Sequence, residues 1–170
     1  MKKLSLSVIS VMSFLLCYAQ LELISQQLDS LKYLKGDPSE DCNNVTWRII
    51  ANKIDAIQPL IDRLDDSTIT QATDKCKKTN LTVGDICFVT LRKILPLGMF
   101  AITGRQMDVV VDGCQLGVFE TIEANRLKFK QQVQAYYDQK KDKLKWREYE
   151  IKYLKPCYVQ NNILGKYYIE

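Results

Sequence analysis

Carboxylates are the only side chains in this sequence whose spacing offers acid–base chemistry. The chain has no histidine, which removes Ser-His-Asp and Cys-His catalysis and histidine-ligated metals together. What remains is Asp62, Asp65, Asp66 and Asp85. Asp62 and Asp66 stand four residues apart, so on a helix they share a face, and the charge of one would raise the pKa of the other toward the range of a general acid. Arg63 or Arg105 would be the electrostatic partner. A hydrolase or lyase using Asp62, Asp66 or Asp85 requires these groups to converge in a concave pocket with at least one of them buried. Simpler roles fit the same residues better: Asp85 follows Thr82 at capping-box spacing, and Asp65-Asp66 sit where a helix would end. No catalytic residue is therefore assigned.

Metal and nucleotide signatures are missing from the sequence. No Cys-x-x-Cys pair stands in for the absent histidines, so no zinc site is expected. Asp65-Asp66-Ser67-Thr68 offers oxygen ligands without the alternating acidic pattern or central glycine of an EF-hand loop. Gly104-Arg105-Gln106 and Val83-Gly84-Asp85 lack the repeated glycines of a phosphate-binding turn. The expectation is no metal and no cofactor. Asn44-Val45-Thr46 and Asn80-Leu81-Thr82 match N-glycosylation sequons.

Two stretches have the composition of binding surfaces. In the last quarter of the chain Trp146, Tyr149, Tyr153, Tyr158, Tyr167 and Tyr168 are interleaved with Lys145, Arg147, Lys152 and Lys166. Mixed aromatic and basic surfaces bind glycans, single-stranded nucleic acid or proteins, although the same aromatics would also serve to pack a tail onto the last helix. The second stretch is Pro96 to Arg105, read as a loop that leaves Leu97, Met99, Phe100 and Ile102 partly exposed, as at an interface. The candidate binding residues are thus Leu97, Met99, Phe100, Arg105, Trp146, Tyr149 and Tyr153.

Compartment and covalent chemistry follow from the N-terminus and the cysteines. Lys2 and Lys3, an apolar run from Leu4 to Leu16 and the small-x-small sequence Cys17-Tyr18-Ala19 read as a secretory signal covering residues 1–19. Its removal takes two of 24 basic residues, leaving 22 against 20 acidic ones, so the net charge falls from +4 to +2. Such balance carries no electrostatic footprint for nucleic acid. Residues 20–170 are enough for a single domain with its own core. No later run is long and apolar enough to span a bilayer. Of the five cysteines left, Cys87 lies between Ile86 and Phe88 on an expected core helix and is assigned as the free thiol. Cys42, Cys76, Cys114 and Cys157 form two bridges whose pairing the sequence leaves open.

Helical spacing then supplies the elements. Leu21, Ile24, Leu28, Leu31 and Leu34 define an amphipathic helix stopped by Gly36-Asp37-Pro38. A second starts at Asn44 or Thr46 and puts Trp47, Ile50, Ile54 and Ile57 on one face, and Pro59 opens a short third. Thr82-Val83-Gly84-Asp85 caps the next, which carries Ile86, Val89 and Ile94. Between Met99 and Gly113, Val109-Val110-Val111 favours strand while the residues around it could form a short helix, and Asp112-Gly113 is a turn. From Gly117 the pattern Phe119, Ile122, Phe129, Val133 and Tyr136 is helical and is read as continuing through Leu144, Trp146 and Tyr149 to Tyr153, with a bend at Lys140 to Lys143. Residues 157–170 are read as an irregular tail or a small β-ribbon. The fold class is all-α, with five to six helices.

Ala56 to Asp66 resembles the first helix of a HEAT-like unit, with its apolar-Pro-Leu-Ile-x-x-Leu-x-Asp pattern, and Val83 to Ile94 resembles its partner. With Cys76 and the Gly113-Cys114 turn, the same segments are similar to a family of small exported bacterial proteins. That resemblance implies a helical hairpin and no particular activity. The function expected is an exported binding module in the periplasm or outside the cell, serving as an inhibitor, immunity or accessory factor or as a structural envelope component. The expected partner is another protein, with a glycan as the alternative. Two bridges and one thiol make the intact mass of the unreduced protein about four daltons lower than that of the reduced protein; an unshifted mass would refute the pairing.

Overall fold

A computed structural model describes residues 19–107 and 109–170. The expected signal, apart from Ala19, lies outside the described residues. The fold is mostly helical, 54% helix with small sheets making up 15% strand, and its buried side chains form one connected core. Helix α1 runs through residues 19–29. It is followed by α2 (Val45–Ala51), α3 (Ile57–Asp62), α4 (Val83–Ile94), α5 (Met99–Thr103), α6 (Val118–Ala124), α7 (Arg126–Lys140) and α8 (Pro156–Gln160). Three two-stranded sheets complete it: β1 (Lys35–Gly36) parallel to β2 (Gln71–Ala72), β3 (Val110–Val111) antiparallel to β4 (Cys114–Gln115), and β5 (Leu144–Glu148) antiparallel to β6 (Gly165–Ile169).

Helix α4 is the centre. Its N-terminus carries the expected capping box: the Thr82 hydroxyl accepts from the Asp85 N–H at 3.2 Å, and the Asp85 carboxylate accepts from the Thr82 N–H at 2.9 Å. Two further amides of the first turn are met by carbonyls, Val83 by Thr68 and Gly84 by Asp66, both at 2.9 Å. This approach is so close that a side chain at Gly84 would be driven into the Leu64 carbonyl, so the α3 exit and the α4 start meet only around a glycine. Ile86, Cys87, Phe88, Leu91 and Ile94 are all buried along the helix.

Several elements depart from the sequence reading, each for a local reason. The α1 stripe holds at Ile24, Leu28 and Leu31, which are buried, while Leu21 is exposed. Helix α1 gives way to a 3-10 turn at Ser30–Tyr33 before Gly36, with φ +68°, enters β1. The second helix ends at Ala51 because the Asn52 side chain donates back to the Arg48 carbonyl at 2.8 Å and Lys53 turns to φ +53°. Ile54 is thereby left exposed while Trp47, Ile50 and Ile57 are buried. The long C-terminal helix divides at Asn125, whose side chain caps α7 by accepting from the Lys128 N–H at 2.9 Å. These breaks yield eight α-helices among the described residues, where five to six were expected.

Two readings are corrected outright. Residues 144–148 are strand, not helix. Leu144 and Trp146 face the core while Lys145 and Arg147 face out, and Trp146 meets Tyr167 edge to face at 5.0 Å across the ribbon. A side chain at Gly165 would collide with Trp146 and the Arg147 carbonyl. Pro96 to Arg105 is not an exposed loop. Met99 and Ile102, three residues apart, turn inward from α5 toward α7, and Leu97 is buried before them, so of the four apolar candidates only Phe100, 66% exposed, faces solvent, while Arg105 is exposed after the helix.

Both bridges form, pairing Cys42 with Cys157 and Cys76 with Cys114, and Cys87 is a buried free thiol. The Cys76–Cys114 bridge sits beside the tightest electrostatic knot of the fold. Asp85, fully buried, receives Lys77 Nζ at 2.6 Å and Arg126 Nη1 at 2.9 Å, and Glu123 completes the group with Lys77 at 2.7 Å. Asp85→Ala would leave two cations buried with one carboxylate between them, at a cost of about 3–5 kcal/mol in stability. Urea unfolding measures it, and a loss below about 1 kcal/mol would show that the knot is dispensable.

Candidate ligand-binding site

The expected carboxylate site does not assemble. Asp62 lies exposed at the end of α3, taking a hydrogen bond from Gln58 Nε2 at 2.9 Å. Asp66 is held below the usual carboxylate range: its partial burial acts upward but is outweighed by hydrogen bonds from Thr68 and by Arg63. Asp85 is likewise low, because the bonds from Arg126, Lys77 and the Thr82 N–H overcome its burial. Arg63 is spent on Asp29 and Asp66, and Arg105 lies far along the chain beside α5, lining a polar cavity of about 260 Å³ with Lys128 and Asn125. Asp66 and Asp85 are held in the charged form by cations and hydrogen bonds, the state of structural groups and not of a poised general acid. Burial pushes the Cys87 thiol well up from its ordinary value, so it is a neutral thiol with no access to solvent. Among the described residues, no group of three or more cysteines and carboxylates is arranged to hold a metal ion.

The C-terminal segment does assemble a site. Chain reversal through α8 brings β6 back along β5, and the segment between them folds over the end of the ribbon. There a cleft of about 250 Å³ is lined by Tyr149, Tyr153, Leu154, Lys155, Tyr158, Gly165 and Lys166. Tyr149 and Tyr153 are expected binding residues; Trp146 instead packs under the ribbon against Tyr167, with Lys53 Nζ 4.6 Å from its ring centre. Tyr153 is 72% exposed, which sets it apart from the packed aromatics around it. Tyr158 stands edge on to Trp47 at 5.0 Å, and the Cys42–Cys157 bridge anchors the turn that carries it.

Lys155, Tyr158 and Lys166 are the residues that sequence reading passed over or left undistinguished. The alternation of Lys145 and Arg147 in β5, opposite Tyr168 and Lys166 in β6 and followed by Tyr149, was available as a period-two pattern. It was hidden because the same residues also fit a helix with no glycine or proline to break it.

The cleft and its surroundings hold several cations. Among the described residues, none of Arg92, Lys93, Arg147, Lys155 and Lys166 forms an ion pair with a carboxylate. Lys93, in the last turn of α4, lies over the Trp47 ring at 4.3 Å and reaches the Pro38 carbonyl at 3.4 Å. Burial lowers its pKa to about 8, with Lys155 adding to the effect and Asp37 and Asp74 opposing it. Lys166 is also lowered, by burial and then by the Arg92 charge. Burial is the larger cause of both shifts, with a neighbouring cation adding to each.

No family model matches the chain, and neither a curated protein nor a solved structure does. The cleft is therefore described by its own chemistry alone.

Lys93 makes a pH test possible. Its folded pKa of about 8 lies below the ordinary 10.5, so between these values the unfolded chain holds more protons and the Lys93 contribution to stability rises with pH. Below about pH 8 the charged, buried form carries its full penalty. Lys93→Met is expected to gain up to about 2 kcal/mol at pH 7 and to lose this rise relative to wild type between pH 8 and 10. Parallel stability curves for the two proteins would refute the assignment.

Proposed function

We propose that the protein is an exported binding module, a single domain in which a HEAT-like pairing of α3 with α4 is a rigid platform and the cleft at the end of the β5–β6 ribbon is the contact surface. The observation that carries this reading is the convergence of tyrosines and cations without ion-pair partners in one cleft, whereas Asp66 and Asp85 are each paired with cations of the fold. Exposed tyrosine faces provide contact area at little conformational cost, and cations without partners await charge from outside. The partner is another protein or a glycan, and roles as inhibitor, immunity factor or accessory factor all rest on such recognition. Two disulfides support an extracytoplasmic location, and among the described residues no helix is long and apolar enough to cross a membrane.

Carboxylate catalysis has less support, since Asp62, Asp66 and Asp85 point to three different partnerships. The test is capture of partners from envelope and secreted fractions on immobilised full-length protein, with Tyr153→Ala and Phe100→Asp run in parallel. Both side chains are exposed, so both variants should keep the helical circular dichroism of the wild type. The expected result is a stoichiometric partner retained by wild type and reduced at least ~10-fold by Tyr153→Ala. Loss with Phe100→Asp alone would move the contact to α5. Retention by both variants would reject these surfaces.

A further inference from the structure

The cleft asks for a ligand with two properties at once. Its walls carry aromatic surface: Tyr149 and Tyr153, 37% and 72% exposed, line it beside Leu154, with Lys152 Nζ 4.9 Å from the Tyr153 ring centre. Its polar groups are cations: Lys155 and Lys166 line it, and Arg147 is the cross-strand partner of Lys166. On the adjoining turn Glu150 pairs with Lys152 at 2.6 Å, and Glu148, across the ribbon from Gly165, is exposed. We propose that this cleft binds an acidic carbohydrate, with a sugar ring seated against Tyr149 and Tyr153 and its carboxylate on Lys155 and Lys166. The inference rests on the reading of the cleft as the contact surface and adds the chemistry of what it holds.

Size and shape select among the anionic ligands. About 250 Å³ of open cleft is below the range of an enclosed small-molecule pocket, so one ring enters while its outer hydroxyls stay in water. A sugar ring has an apolar C–H face to lay on a tyrosine and carries its charge at its edge. An aspartate or glutamate side chain brings the charge without a flat face, and a neutral sugar brings the face without the charge. The ribbon extends the track. Lys145 and Arg147 project outward along β5, with Tyr168 beside Arg147 at 5.1 Å, so further acidic units of a polymer would meet further cations at the two-residue repeat of a strand. Nucleic acid also combines a ring with an anion, but a chain held by two disulfides belongs where glycans and not nucleic acids surround it. Burial and the neighbouring Arg92 charge lower the pKa of Lys166 in the cleft wall, so an arriving carboxylate would favour its charged form.

Isothermal titration of the oxidised full-length protein with four probes tests the assignment: tetragalacturonate, the neutral tetrasaccharide maltotetraose, hexaglutamate and a short oligothymidylate. Tetragalacturonate is expected to bind saturably, at least ~10-fold more tightly than maltotetraose or hexaglutamate. Tyr153→Ala and Lys155→Ala, both at exposed positions, should each weaken that binding roughly 10-fold with unchanged circular dichroism, and added salt should weaken it further. Equal binding of hexaglutamate would make the cleft an acidic-peptide site, and tighter oligothymidylate binding a nucleic-acid site; either overturns the proposal. So would tetragalacturonate binding that neither variant alters. Failure of all four probes alongside Tyr153-dependent capture would reject the acidic sugar and leave the cleft as the contact surface.

Discussion

The Asp85 carboxylate has no solvent-accessible surface, yet it is ionised, and the arrangement of four segments follows from satisfying it. It closes the N-terminus of α4 through Thr82, accepts Lys77 from the loop held by the Cys76–Cys114 bridge, and accepts Arg126 from the first turn of α7. Glu123, at the end of α6, balances the second cation. A buried charge is costly unless every lone pair is met, so the geometry of these segments is fixed together or not at all. The apolar core gives the fold its driving force without choosing one packing. The ion group selects the packing that places α7 against the start of α4, and the absence of a side chain at Gly84 lets α3 approach the same point.

Legibility in the sequence followed the range of the interaction. The Thr82–Asp85 box, the α4 core positions, the Val110–Val111 strand and the free Cys87 are decided within a few residues of chain, and the sequence shows them. Lys77, Glu123 and Arg126 give no sign of a shared partner, because they come from three elements and their spacing has no local meaning. The division at Asn125 had a signal, since asparagine is a good N-cap, but the hydrophobic repeat runs across it. The β5 strand was misread because Trp146, Tyr149 and Tyr153 recur at three and four residues, a helical spacing, while Leu144 and Trp146 alternate only over a short stretch. Only the return of β6, with Gly165 beneath Trp146, decides between them. The cleft depended on that decision, so its tyrosines were visible as a composition and its lysines were not visible as a set.

The cations around α8 contrast with the Asp85 group. One set of charges is internally neutralised and structural. The other, Arg92, Lys93, Arg147, Lys155 and Lys166, is left without carboxylate partners and at Lys93 carries an energetic penalty. A fold that can neutralise buried charge in one place and leaves cations uncompensated in another shows a local conflict of the kind that functional surfaces retain.

The two bridges differ in how much chain they enclose: 38 residues separate Cys76 from Cys114, and 115 separate Cys42 from Cys157. A chain made from its N-terminus presents Cys42, Cys76, Cys87 and Cys114 in that order, and Cys42 must stay unpaired until nearly the whole polypeptide has emerged. During that interval Cys76 is its first available wrong partner. If the Cys76–Cys114 loop closes first and Cys87 is buried in α4, neither competes for Cys42 when Cys157 arrives. The anchoring of the C-terminal surface would then depend on the order in which thiols become available as well as on the final stability of the fold.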